Sequence, residues 1–436
     1  MSPLLVVGLM FLCMLIFFVF GGQVAFVLGG VGAIFVLLMG GEKFLQLLPV
    51  NCFEKGTYFI YVAIPLFIFI GCILQVSGIA DALYGMVYKW LGRLPGGLAI
   101  GTVLICVVFA AMVGIVGAAT VTMGLIALPS MLKRGYKKDI AIGCISAGGA
   151  LGFLIPPSVT MIVYASMANL SIGKMFMGGV FPGLLLASLF IIYILVRSFL
   201  QPSVAPQIPK EEAPSWRERF ISLRSLIAPL ILVTSIMGSI FLGLATPTEA
   251  AGAGAFVSIV IVATYRRLNW FVFKEAIYTS SKLTIMVLWI IIGVGSFSTV
   301  ISTLGLTEIL ARGVELLGLN RWVVLIAMQI SFFFLGMVMD DIPILMITIP
   351  IYIPLIELLG FDPLWFGVLF IINMQMAYLT PPFGFVLFYM RGVAPPGVSM
   401  GDIYRSIWPF VLLQTIGLVI TMIFPQIILW LPSVMF

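Results

Sequence analysis

Long apolar runs, interrupted at intervals by short polar stretches, fill this chain from end to end. They lie near 4–20, 24–39, 58–76, 98–131, 139–168 and 175–199, and again near 225–243, 249–264, 283–303, 322–356, 364–390 and 406–431. A run of about 20 apolar residues, coiled as a helix, matches the hydrocarbon thickness of a bilayer and satisfies its own backbone polar groups. The pattern predicts an all-α polytopic membrane protein. Between the two sets of runs lies one polar stretch, Gln201 to Arg224, with four prolines and charges of both signs. It predicts a linker over 200–224 that joins two membrane units, 1–199 and 225–436.

The two units repeat one another. A shift of 225 to 228 positions lays Ser77-Gly78 on Leu304-Gly305, Pro129 on Pro354, Gly135-Tyr136 on Gly360-Phe361, Pro156-Pro157 on Pro381-Pro382 and Tyr164 on Tyr389. Aliphatic matches mean little in so apolar a chain, but coincident prolines, glycines and aromatics in one order mark a duplication. The runs 98–131 and 322–356 are too long for one crossing. Gly114 and Gly117 interrupt the first, and Asp340, Asp341 and Pro343 the second, so each predicts a re-entrant helical hairpin, over about 98–131 and about 322–356. Each unit then has about five spanning helices plus one hairpin. Five is odd, so the second unit is inverted relative to the first. On that topology seventeen of the 22 cationic residues fall on one face and five on the other. The rich face, which holds Lys133 to Lys138 and the linker, is therefore cytoplasmic, and both termini face outward.

Composition narrows the function. With 62% apolar and 9% charged residues and a mean hydropathy of +1.24, the chain has the lipid bilayer as its main solvent. The net charge of +6 comes without basic patches interleaved with aromatics, so no nucleic-acid partner is expected. Five cysteines without CxxC spacing predict free thiols. Residues 3–20 lack a basic leader and a small-residue cleavage site, which favours a first spanning helix over a cleaved signal. No enzyme is expected, because Asp340 and Asp341 share one segment and do not face each other from two helices.

The chemistry sits where the backbone is interrupted. Pro156 and Pro157 bring no N–H to the carbonyls of Gly152 and Phe153, and Pro381 and Pro382 bring none to those of Ala377 and Tyr378. A broken membrane helix can offer carbonyl oxygens to a cation and, from the next half-helix, a positive N-terminus to an anion. Two simple proline kinks would carry the same sequence. The first hairpin tip, Gly114 to Thr120, is a run of small residues suited to a close turn or to helix packing. The second, Gly336 to Asp341, holds two carboxylates that are functional at bilayer depth and mere helix caps at the interface. Glu249 reads as a helix cap. Thr380 places a hydroxyl beside Pro381, either as a cation ligand or bonded back one turn.

Several strings carry a family resemblance. Gly148 to Ser158, Ala245 to Ala251, Leu379 to Gly384, Ile64-Pro65-Leu66-Phe67 and Gly336 to Asp340 resemble the large membrane subunit of tripartite ATP-independent periplasmic (TRAP) transporters, from about residue 60 to the C-terminus. The resemblance implies elevator-type scaffold and transport domains, a bacterial inner membrane, and termini in the periplasm. It implies sodium-coupled uptake of a small organic anion, a carboxylate or sulfonate. It also implies two partners, a small four-helix membrane subunit and a periplasmic substrate-binding protein. No cofactor is implied beyond Na+ as coupling ion. The first sodium site would draw on Gly114, Gly117, Ala118, Thr120, Gly152 and Pro156. The second would draw on Gly336, Asp340, Asp341, Ala377, Thr380 and Pro381, and the substrate would lie by Pro157, Ser158, Pro382 and Arg391. Where the family usually has Ser after the tip glycine, this chain has Ala118. An autonomous sodium or proton/carboxylate symporter, working without a binding protein, would share the inverted hairpin architecture.

Overall fold

Glycines, prolines and capping hydroxyls divide the apolar runs into helices. The computed structural model describes residues 3–435 apart from 115, 210–213, 307, 308, 310, 311, 314, 315, 317 and 383, and contains no strand among them. The first unit opens with α1 (Pro3–Val19), α2 (Val24–Gly40) and a short helix α3 (Leu47–Gly56). The last of these is bent by 49° against the segment that contains α4 (Ala63–Gln75). There follow α5 (Ile79–Leu91), α6 (Gly97–Val113), α7 (Val116–Lys133), α8 (Lys138–Ala150), α9 (Val159–Met167) and α10 (Ile172–Leu200). The second unit runs through α11 (Trp216–Phe241), α12 (Pro247–Thr264), α13 (Trp270–Thr303), α14 (Arg321–Gly336) and α15 (Asp341–Leu358). It closes with α16 (Pro363–Ala377), α17 (Phe385–Val393), α18 (Met400–Ile423) and α19 (Gln426–Met435).

Both long runs are interrupted where the sequence places their tips. Gly114 takes the left-handed φ of +66° between α6 and α7, and Met337 to Asp340 separate α14 from α15. In each case the two helices pack against one another. Glu249 caps α12: its carboxylate accepts the Thr246 backbone N–H at 2.8 Å while its own N–H donates to the Thr246 hydroxyl.

Among the described residues seven helices are long and apolar enough to cross a membrane alone, or eight if the bent pair counts as one span. The five-plus-hairpin reading needs more crossings than that. The difference has a local cause: α1 and α2 have 17 residues each, and the Pro-Pro pairs cut two of the predicted spans into α8 with α9 and α16 with α17.

The helices form two packing groups. In one, α13 lies along α2, α3 and α4, and α12 lies on α4. The backbones of α2 and α13 approach through glycine, since a Cβ on Gly293 would stand 2.3 Å from the Ala25 carbonyl oxygen and one on Gly32 would stand 2.6 Å from the Phe297 nitrogen. In the other, α8 packs on α6, α7 and α18, and α16 packs on α14 and α18. The groups meet where α13 touches α15 and α4 touches α6 and α7.

The segment 201–209 is not a free linker. Val204, Ala205 and Ile208 are buried. The carbonyls of Val204 and Ala205 accept the N–H groups of Lys137 and Gly96, at 2.9 and 3.2 Å, and so tie together the two ends of the first hairpin.

Candidate functional site

The first break begins as α8 ends at Ala150. A short 3-10 turn, Leu151–Phe153, follows, in which the N–H groups of Leu154 and Ile155 both turn back to the Leu151 carbonyl. Neither reaches Gly152 or Phe153, and Pro156 and Pro157 bring no N–H of their own. The chain restarts as α9, with the Ser158 hydroxyl accepting the Met161 N–H. The second break is closed differently. The Ala377 carbonyl accepts the Thr380 N–H at 2.9 Å and the Tyr378 carbonyl accepts the Val386 N–H at 3.3 Å, so the oxygens expected to stand free there have backbone partners. Both Pro-Pro bonds are cis.

Each hairpin tip lies against a break. A Cβ on Gly114 would stand 2.5 Å from the Pro157 carbonyl oxygen, and one on Gly336 would stand 2.6 Å from the Ala377 Cβ. Contacts also run across the two halves. Phe153 and Tyr378, which are 225 positions apart, meet edge to face with ring centroids 4.6 Å apart. Gly117 faces the Tyr389 ring. The Thr160 hydroxyl, one turn past the first break, donates to Asp341 Oδ2 of the second tip.

A cavity of about 130 Å³ opens at this junction. Both tips reach it through Gly114, Gly117, Asp340 and Asp341, and both breaks through Phe153, Thr160, Tyr378 and Tyr389. Leu283 and Met286 of α13 complete one wall. Asp341 is 6% exposed and Asp340 half-buried. The Tyr378 hydroxyl sits between them: it donates to Asp340 Oδ1, lies 3.1 Å from Asp341 Oδ1 and accepts the Asp341 backbone N–H at 3.1 Å. Two hydroxyl protons, from Tyr378 and Thr160, therefore serve two adjacent carboxylates. Among the described residues the ion pairs are Lys138 with Asp402 and Arg197 with Asp139, and no Lys or Arg reaches either tip carboxylate.

The remaining sequence-named residues spread around this centre. Thr120 is buried, packs on Gly149 and donates to the Val116 carbonyl at 3.4 Å. Ala118 is half-buried, Pro156 and Pro157 are buried, Pro381 is half-buried and Pro382 is exposed. Thr380 is buried and its hydroxyl donates to the Met376 carbonyl at 2.9 Å, which leaves the lone pairs of that oxygen to accept. Arg391 is exposed in the last turn of α17, where its guanidinium donates to the Val398 carbonyl, and it is not part of the cavity wall. Sequence reasoning passed over Thr160 and the side chains of Phe153, Tyr378 and Tyr389. The repeat offers a signal for three of these, because Phe153 and Tyr378 are equivalent positions and Tyr389 matches Tyr164.

Comparison with known proteins gives the chain a family and a fold. A family model described as the tripartite ATP-independent periplasmic transporter, DctM component, matches residues 10–427. The C4-dicarboxylate TRAP transporter large permease protein DctM of Pseudomonas aeruginosa is 34% identical over 409 residues, covering 93% of each chain. The ectoine TRAP transporter large permease protein TeaC of Halomonas elongata is 32% identical and covers 86% of each. In fold, the chain is similar to the YdaH transporter of Alcanivorax borkumensis, with a TM-score of 0.65 at 17% identity over 90% of this chain and 91% of that one.

Proposed function

Since the chain belongs to the tripartite ATP-independent periplasmic transporter family, as its DctM component, we propose that it carries a small organic anion inward together with sodium, after a periplasmic substrate-binding protein delivers it. One observation carries the reading. Asp340 and Asp341 stand side by side at a cavity shared by both tips and both breaks, with two hydroxyl protons and, among the described residues, no Lys or Arg between them. Adjacent carboxylates in a membrane interior need positive charge. An all-oxygen donor set suits a hard cation such as sodium better than a soft metal. At the first tip the donors are backbone carbonyls around Gly114, Gly117, Ala118 and Gly152, with Thr120 beside them. Thr380 and the backbone of Gly336 extend the second, with Ala377 adding the remaining lone pair of a carbonyl that already accepts the Thr380 N–H.

With the carboxylates neutralised, an anion fits the same cavity. The N-terminus of α9 opens on it through Val159 and Thr160, and its unpaired N–H groups and dipole favour negative charge. The volume suits a small metabolite, well below the several hundred Å³ of drug-sized pockets. The names of the relatives make a C4-dicarboxylate and ectoine the first substrates to try. In this reading the group of α2, α4, α12 and α13 forms the scaffold, and the hairpins with α8, α16 and α18 form the part that moves. A small four-helix membrane subunit completes the complex in the bacterial inner membrane, with both termini periplasmic.

The test is uptake of radiolabelled succinate and ectoine into proteoliposomes that hold this chain with its small subunit. Uptake is expected to need both an inward sodium gradient and external binding protein, with a sodium Hill coefficient above one. Full uptake with potassium in place of sodium, driven by a proton gradient alone, would reject the coupling. Full uptake without the binding protein would make the chain an autonomous symporter.

A further inference from the structure

A second cavity, of about 460 Å³, lies on the same seam of helices as the central one, further along it. The order of lining residues on three helices places it. On α4 the central cavity takes Ile68 and the second takes Cys72 and Gln75; on α7 they take Gly117 and Thr122; on α13 they take Leu283 and Thr279. The second cavity therefore continues from the central site toward the start of α13, the end that follows Arg266 and Arg267. That end belongs to the cation-rich face, which the positive-inside rule places in the cytoplasm.

The lining is unlike that face. Exposed carboxylates of Asp81, at the start of α5, and Glu275, in the first turns of α13, stand at the mouth beside Gln75. Neither forms an ion pair among the described residues, although Arg267 is close by, packed against Gly78. Deeper in, Thr122 is 6% exposed and its hydroxyl has no hydrogen-bond partner. Several other buried threonines return that bond to the carbonyl four residues earlier, as Thr102 and Thr348 do at 2.7 and 2.6 Å, and Thr284, which shares the lack of a partner, lines neither cavity. A buried hydroxyl that forgoes this bond on a cavity wall is an oxygen held ready for another partner. The other polar groups here are oxygens or amides, and no soft ligand beyond Cys72 is present.

We propose that this cavity is a second, outer cation site: a cytoplasmic antechamber in which Asp81, Glu275 and Thr122 take a hydrated monovalent cation between the central site and the cytoplasm. The inference rests on the sodium-coupled reading above. Physically, two carboxylates at the rim of a cavity raise the local cation concentration and lower that of anions. Sodium leaving the centre meets oxygen donors on its way out, and an anion already released meets a repulsive rim. The site thus sets how strongly internal sodium holds the transporter back and leaves the external sodium response alone.

The experiment measures initial uptake in proteoliposomes of the complete complex at fixed external sodium, with internal sodium chloride replacing internal choline chloride at constant ionic strength. Binding protein added outside selects molecules in one orientation. Wild type, Asp81→Asn/Glu275→Gln and Thr122→Val are compared, each scored by incorporated protein and by its external sodium half-saturation. Both variants are expected to raise the internal sodium needed for half-inhibition by roughly three- to tenfold, with the external half-saturation unchanged. Equal internal inhibition in all three proteins would overturn the proposal. A shift in the carboxylate variant without one in Thr122→Val would also overturn it, since the acids would then act only as surface charge. Should the double variant fail to incorporate, Thr122→Val carries the test alone. Wild-type uptake indifferent to sodium would remove this inference together with the coupling it rests on, whereas sodium-dependent uptake with unshifted variants removes this inference only.

Discussion

Asp341 is held by hydroxyls from both halves of the chain, Thr160 from the first and Tyr378 from the second. A hydrogen bond to a charged group contributes about 1.5–3 kcal/mol, so Thr160→Val is expected to lower the thermal stability of the purified protein by an amount in that range. The same change in an Asp341→Asn background should cost less than half as much. A double-mutant cycle on apparent unfolding free energies measures this coupling, and additive effects would show that the two groups do not interact energetically. The residue scale is also where the sequence was least legible. Asp340 and Asp341 were visible as carboxylates, but whether they capped a helix at the interface or lay in the interior depended on depth. Their partner Thr160 is 181 positions away from Asp341, a pairing that only tertiary packing creates. Thr380 had two readings, and the structure directs its proton to Met376.

At the scale of elements, the breaks were legible because they are written in backbone chemistry. Proline removes a donor wherever it stands, and a glycine can take the left-handed turn that Gly114 adopts. Less legible were α3 and α5, short helices in stretches where polar residues dilute the apolar run. The fate of the freed carbonyls could not be read either, because Thr380 and Val386 supply N–H groups at the second break from residues that the pattern left undetermined. The two breaks are consequently unlike: the N–H groups at the first turn back to Leu151, while those at the second close on Ala377 and Tyr378. Gly114 is the position where the first depends most on shape. A methyl group there meets both the positive φ and the Pro157 carbonyl at 2.5 Å, whereas on Gly117 it meets only the edge of the Tyr389 ring at 3.0 Å. Gly114→Ala is therefore expected to reduce uptake by at least about tenfold at normal expression, since the left-handed turn alone costs an Ala roughly 1–2 kcal/mol and the carbonyl must also move. Gly117→Ala should lose severalfold less. Equal loss in the two variants would mean that the tip does not press on the break.

For the whole molecule, the duplication read from the sequence organises everything above. Residues that the 225-position shift equates meet at the centre, as Phe153 and Tyr378 do, and each tip is completed by the other half, as Asp341 is by Thr160 and Gly117 by Tyr389. Such reciprocity follows naturally if two inverted units share one site near the middle of the bilayer. The sequence argues for inversion through an odd crossing count and a charge asymmetry, both properties of the whole chain. Its count of full crossings was harder to verify by length, because the same prolines that build the site shorten the helices that carry it. The most direct test uses two exposed, repeat-equivalent positions at the far ends of the hairpins, Lys133 and Leu358. In a cysteine-free background, Lys133→Cys and Leu358→Cys are treated in intact cells with a membrane-impermeant maleimide. An inverted pair predicts labelling of Leu358→Cys from outside and of Lys133→Cys only after the inner membrane is permeabilised. Labelling of both from the same side would contradict inverted halves, and with them a site shared between two oppositely oriented tips.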